Sequence, residues 1–172
     1  KYYDNGKTWS ERNYKDSNDE DDNENGLSTS WYENGQKMSE GKYKDGVMDG
    51  LWVEWYSDGN KLREGNWENR KKEGLHTQWH RNGKKLTERH FKDGKEDGLS
   101  VLWHENGQKK RENTYKDGKL VTAVTWKPNG EKCPVTNVVD GNGVRVYYND
   151  DGSEWMRLTF KDGVENPLVL EG

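Results

Sequence analysis

The sequence predicts an all-β fold: an elongated, single-sheet antiparallel meander of about seven β-hairpin repeats, most of them 22 to 24 residues long. Three observations predict it. Trp31, Trp55, Trp79 and Trp103 recur every 24 residues, and a fixed period in this range marks a stacked array of one supersecondary unit. Each of these tryptophans leads into Asn-Gly or Asp-Gly, at 34–35, 58–59, 82–83 and 106–107. That pair is the strongest short-range hairpin signal, because glycine takes positive φ without steric cost. Helix is excluded by the several glycines in each unit, each costing about 1 kcal/mol in a helix interior.

The turn glycines Gly6, Gly35, Gly59, Gly83, Gly107, Gly130 and Gly152 divide one repeat domain, 1–172, into units near 2–30, 31–54, 55–78, 79–102, 103–125, 126–147 and 148–172. The first unit carries an acidic insertion within 17–25, and the last two are degenerate, as capping repeats usually are. Around Gly59, strands are expected from Leu51 to Tyr56 and from Lys61 to Trp67. The segment Lys-Asp-Gly-x-x-Asp-Gly, 44–50, reads as a longer connection between hairpins. A one-residue slip would flip every side chain. A three-residue turn with a glycine bulge at Gly59 collects Leu51, Val53, Trp55 and Trp67 on one face and leaves Glu64 on the other, where its charge need not be compensated. The same stripe recurs as Leu75, Thr77, Trp79 and Phe91, and as Leu99, Val101, Trp103 and Tyr115. With about 13 strands at roughly 4.8 Å each, the array should extend about 60 Å.

Composition restricts function. Isoleucine is absent and aliphatic residues are few, but nine Trp and nine Tyr each bury a large area, enough for a thin array and too little to wall a deep dry pocket. The net charge of −4 is uneven: residues 55–119 hold 16 basic against 11 acidic side chains, between two acidic ends. No basic cluster is dense enough to release many counterions, so nucleic acid is not an expected partner. Cys133 is the single cysteine, which excludes an intrachain disulfide and a thiolate metal site. No apolar run is long enough to span a membrane as a helix and no signal peptide is visible; the compartment is left open. The chain opens at Lys1 in mid-pattern without a Met, which points to an upstream stretch.

The run Glu-Gly-x-aromatic, at Glu40-Gly41-Lys42-Tyr43 and Glu64-Gly65-Asn66-Trp67, resembles the core of the membrane occupation and recognition nexus (MORN) repeat. The Asn-Gly-x-x-Lys spacing and the Gly-Leu-Trp lead-in are similar to its bacterial variant, found in YwqK-type antitoxin-like proteins. The resemblance covers roughly 2–163 and implies an elongated, twisted antiparallel sheet of successive hairpins. Arg12, Arg89 and Asn113 replace the glycine of the Glu-Gly position.

Glu11, Glu40, Glu64, Glu88, Glu112 and Glu154 read as one repeat position. Successive equivalents lie about 9.5 Å apart, too far to share a metal ion, so pairing with Lys or Arg is the expected role. His80 and His104 are also one repeat apart, and His76 and His80 are separated by about 13 Å along a strand. No set of residues has metal-ligand spacing, and no cofactor is expected. The acidic run that includes Asp16, Asp19, Asp21 and Asp22 offers oxygen ligands of the kind calcium takes, but lacks the central Gly and terminal Glu of an EF-hand loop; a flexible acidic loop is the expectation.

The function that follows is a non-catalytic protein-interaction or scaffold module, antitoxin-like by resemblance, because catalysis needs converging groups and a one-dimensional array spaces each group about 9.5 Å from its copy. Lys61, Arg63, Lys85, Arg89, Lys109 and Arg111 form a basic stripe for an acidic protein partner, on the side of the aromatic stripe, where their stems can cover the rings. Tyr32 and Tyr56 are the candidate exposed contacts. The alternative is peripheral membrane-lipid or glycan binding through exposed aromatics and lysines, disfavoured by the acidic ends. A third reading is a repeat region that supports a catalytic domain elsewhere. Open sheet edges permit self-association.

Overall fold

The structure, a computed structural model, describes residues 1–2, 4–14 and 24–166. The calcium candidates Asp16, Asp19, Asp21 and Asp22 lie outside the described residues. Among those described there is no helix, and thirteen strands follow in order: β1 (Ser10–Tyr14), β2 (Glu24–Trp31), β3 (Lys37–Lys44), β4 (Val47–Trp55), β5 (Lys61–Glu68), β6 (Lys71–Trp79), β7 (Lys85–Lys92), β8 (Lys95–Trp103), β9 (Lys109–Lys116), β10 (Lys119–Thr125), β11 (Gly143–Tyr148), β12 (Glu154–Lys161) and β13 (Val164–Asn166). The chain forms two compact units, Lys1–Gly83 and Lys84–Gly172. In the first, β1 to β6 pair antiparallel in sequence order. In the second, β7 to β10 do the same, and a separate three-stranded sheet, β11-β12-β13, follows. The all-β meander of hairpins is thus observed, and the second small sheet is an addition to the single sheet expected.

Two kinds of turn alternate along the meander. At Gly59 the expected glycine-bulged turn is present: the Tyr56 amide donates to the Asn60 carbonyl (2.8 Å), the Gly59 amide donates to the Tyr56 carbonyl (2.9 Å), and Gly59 has φ 89°. At the other end the expected longer connection is replaced by a two-residue turn. Asp45 (φ 50°) and Gly46 (φ 76°) both lie in the left-handed region, as a type I′ turn requires, and Lys44 pairs directly with Val47. Strand β4 therefore starts at Val47, not Leu51.

The expected face assignment is corrected by a second irregularity. Trp55 pairs with Lys61 but Glu54 pairs with Arg63, so Leu62 is an extra residue in β5. This bulge shifts the register by one. Val53 then faces Glu64 and Trp52 faces Gly65. One face of the hairpin carries Leu51, Val53, Trp55 and Glu64; the other carries Trp52, Glu54, Arg63, Gly65 and Trp67. Trp67, and in the second unit Tyr115, leave the stripe to which the sequence assigned them. The same bulge recurs at Met38, Lys110 and Trp155; Met38, Leu62 and Lys110 are half-buried, whereas Trp155 is 64% exposed.

Unit six keeps its turn, with the Lys127 amide donating to the Glu131 carbonyl (2.8 Å), but returns through the isolated bridges Trp126–Lys132 and Ala123–Val138 rather than a strand. The freed segment folds over β10. There Leu120, Ala123 and Val138 are buried together, with Tyr115 and Phe160 packed against them.

Candidate partner-binding site

The bulge brings Lys61 and Glu64, three residues apart, to the same side of β5. Lys61 Nζ donates to Glu64 Oε2 (2.7 Å) and lies 5.4 Å from the centre of the Trp79 ring in the next hairpin. In the same unit Lys37 bonds Glu40 and covers Trp55 at 5.8 Å. In the second unit Lys85 bonds Glu88 and covers Trp103 at 6.0 Å, and Lys109 bonds Glu112 and covers Trp126 at 5.6 Å. Each lysine is close to half exposed. An ammonium over an indole gains about 0.5–1 kcal/mol at such sites. The rung is therefore Lys, Glu and the following repeat's Trp.

The basic stripe expected on the tryptophan side is divided by the register. Lys61, Lys85 and Lys109 lie with the tryptophans. Arg63, Arg89 and Arg111 point to the opposite face, paired across the strands with Glu54, Ser100 and Leu102. Arg63 Nη2 bonds Glu54 Oε1 (2.7 Å) and Arg89 Nη1 reaches Glu96 Oε1 (3.4 Å). Glu154 is also corrected: it stands in the Lys61 position, and Arg157 in that of Glu64. The ion pair survives with its charges exchanged, Arg157 Nη2 to Glu154 Oε2 at 2.8 Å. Tyr32 and Tyr56 are half-buried, and their hydroxyls donate to the carbonyls of Trp55 (2.7 Å) and Trp79 (2.9 Å). These bonds tie each turn to the next hairpin.

The opposite face of the first unit holds a groove of about 350 Å³ that the sequence did not point out, lined by Trp52, Glu54, Arg63, Trp67, Lys72 and His76 among others. Its floor follows from the glycine of the Glu-Gly motif. A Cβ on Gly65 would lie 2.1 Å from His76 Nδ1, and one on Gly41 would lie 2.4 Å from the Trp52 ring. The missing side chains are the spaces into which these rings fit. Trp67 meets His76 edge to face (5.9 Å), Tyr43 meets Trp52 likewise (5.3 Å), and Lys72 Nζ lies 5.9 Å from the Trp67 ring. His76 Nε2 bonds the Asn66 carbonyl (2.8 Å). Burial holds the His76 imidazole below its usual pKa; the Asn66 bond opposes this and the Lys72 charge adds to it. Among the described residues no group of three or more His, Cys, Asp and Glu could hold a metal ion. No helix of the structure is long and apolar enough to cross a membrane.

The hairpin period, the Glu-Gly rungs and the alternating turns are those of a known repeat. The chain belongs to the MORN repeat variant family. The family's model matches residues 1–16, 24–45, 48–69, 72–93 and 96–117, five repeats that end where the meander gives way to the segment over β10. No curated protein matches the chain in sequence. MORN repeats make this a repeat-based binding or scaffold module, and repeats of this family are generally non-enzymatic.

Proposed function

We propose that this MORN-variant chain is a protein-interaction module, antitoxin-like in that it acts by occupying a partner, and that the partner presents carboxylates to the Lys-Trp ladder. The observation that carries this reading is the rung itself, repeated at Lys37, Lys61, Lys85 and Lys109 with the ammonium held over a ring and half open to water. The internal Lys-Glu bonds are exposed ion pairs worth about 0–1 kcal/mol each. A partner's carboxylate displaces one at small cost, and the excess of basic residues in 55–119 favours its approach. The aromatic groove of the first unit gives the opposite face the depth to hold an anchoring side chain.

The test is affinity capture with the immobilised chain from extract of the source cell, followed by titration of the captured protein. Exchange of the four ladder lysines for Gln should weaken binding at least tenfold and flatten its salt dependence. Equal affinity of the variant rejects the proposal.

One observation favours a second reading. Leu27, Leu51 and Leu75 are 45%, 53% and 42% exposed, on the same side of their strands as Trp31, Trp55 and Trp79. Apolar side chains beside lysines also suit an anionic bilayer surface. Salt-sensitive co-sedimentation with phosphatidylserine vesicles, and none with neutral vesicles, would place this reading first.

A further inference from the structure

The ring-lined groove of the first unit comes from the Glu-Gly motif, repeated in adjacent hairpins. Gly65 has no side chain, so the His76 ring lies on its backbone, and Trp67 meets that ring edge to face (5.9 Å). In the preceding hairpin Trp52 lies on Gly41 in the same way and is 8% exposed. The two fits share a face one repeat apart, and the hollow between them is the groove of about 350 Å³. In the second unit Arg89 and Asn113 take the place of the glycine and meet Ser100 and Ala123. The fit of a ring on that glycine thus belongs to the first unit.

Shape, size and charge of the lining define a ligand. The half-buried walls are the Trp67 and His76 rings, with Met48 beside them. Rings that meet offset or edge to face gain beyond the area they bury, so a ring is favoured over an aliphatic group of equal size. The volume lies near the lower end of the range of about 300–1,000 Å³ for ligand pockets, which suits one large side chain. Arg63 is bonded to Glu54, and Glu64 to Lys61 on the other face, so Lys72 tips the lining toward positive charge. Lys72 Nζ lies 5.9 Å from the Trp67 ring. Its charge also reaches the His76 imidazole: burial lowers that pKa most, the Asn66 bond opposes this, and Lys72 adds to the lowering. A carboxylate beside the bound ring would meet the same ammonium.

We infer that the groove is an anchor site for an aromatic residue of the protein partner that carries a carboxylate beside it. The ring enters between Trp52 and the Trp67-His76 pair, and the carboxylate pairs with Lys72. The inference rests on the interaction-module reading for the source of that residue. It adds a contact of different chemistry, on the face opposite the Lys-Trp ladder, of the ring-in-pocket kind that dominates affinity at interfaces.

The experiment uses the full chain and small probes in place of the partner. N-acetyltryptophan, which joins a ring to a carboxylate, is titrated by NMR beside N-acetyltryptophanamide and N-acetylleucine. It should move the resonances of the His76 ring and the Trp67 indole and leave those of Trp103 and Trp126 in the second unit. Its affinity should exceed that of the amide and of the leucine probe by at least about threefold. Lys72→Gln, a change at the rim, should bring N-acetyltryptophan down to the level of its amide. The inference is overturned by unmoved His76 and Trp67 resonances, by equal affinity for the leucine probe, or by unchanged affinity of the Lys72→Gln chain. Shifts centred on Trp55 and Trp79 would also overturn it, since they assign the probe to the ladder. None of these titrations involves the ladder lysines or the captured protein, so this site and the ladder reading fail separately.

Discussion

The indole of Trp52 covers the Cα of Gly41 so closely that a Cβ there would stand 2.4 Å from three of its ring atoms or nearly so, at 2.4, 2.4 and 2.6 Å. The glycine of the Glu-Gly motif is thus half of a fit between strands. His76 over Gly65 repeats the fit. Where the glycine is replaced, the facing residue shrinks: Arg89 meets Ser100, and Asn113 meets Ala123. Large and small exchange places and the filled space is kept.

That exchange predicts a coupled pair of substitutions. Gly65→Ala should destabilise the chain by about 1–3 kcal/mol, the usual range for overpacking, because the added methyl meets the His76 ring. His76→Ser in the same chain should restore much of the loss. A double-mutant cycle by urea unfolding should return a favourable coupling of at least about 0.5 kcal/mol; additive costs would mean that the ring and the glycine do not constrain each other.

His76 also sets a pH response. Its folded-state pKa lies below the ordinary 6.5, so protonation favours the unfolded chain. The stability it contributes is complete above pH 6.5 and falls as pH drops from there toward the lowered value, where the loss levels off. An NMR titration should place the His76 midpoint below 6.5, and His76→Gln should remove that part of the acid-side loss. A midpoint at or above 6.5 would show that the groove does not bury the ring.

At the alkaline end the decisive group is Tyr148. Its hydroxyl donates to Cys133 Sγ (2.8 Å), and burial, with this bond, pushes its pKa up to about 12. Burial also acts on the Cys133 thiol, raising its pKa, but bonds from Thr136 and Tyr148 outweigh it and leave the thiol below its usual value. For Tyr148 the raised value means that the neutral form supports the fold: the contribution is full below about pH 10 and is lost as pH rises from there through about 12. Tyr148→Phe should flatten the alkaline loss of stability across that window, as read by unfolding at each pH. An unchanged profile would remove Tyr148 from the account.

The repeat period, the turn at Gly59 and the all-β class were legible because they rest on local signals: tryptophan spacing, Asn-Gly and Asp-Gly, and the lack of helix-forming runs. The faces were not. Leu62 carries no mark that distinguishes a paired strand residue from a bulge, yet it alone decides whether Glu64 lies with Trp55 or away from it. Asp45-Gly46 was itself a hairpin signal, hidden by the second Asp-Gly at 49–50, which sits inside β4 and not in a connection. The ring-lined groove stayed invisible for the same reason, since Trp52, Trp67 and His76 converge only in the shifted register. The burial of Arg145 against Tyr147 and Phe160 belongs to the degenerate last strands, whose contacts no repeat pattern encodes.

The exchanged ion pair in the last unit gives the final prediction. Lys61-Glu64 and Glu154-Arg157 occupy equivalent bulged sites with opposite polarity, so the geometry accepts either direction of charge. The double exchange Lys61→Glu with Glu64→Lys should therefore keep stability within about 1 kcal/mol of the original, the scale of an exposed pair. Lys61→Glu alone should cost more than the double exchange, because it sets two carboxylates side by side and removes the ammonium from the Trp79 ring. The difference should shrink in 1 M salt as the repulsion is screened. The double exchange should nevertheless weaken capture of the acidic partner, since the ring of Trp79 would then lie beneath a carboxylate; unfolding and binding measured on the same variants separate the two roles of the rung. A double exchange that costs as much as the single one would show that Lys61 is held by Trp79 and not by Glu64.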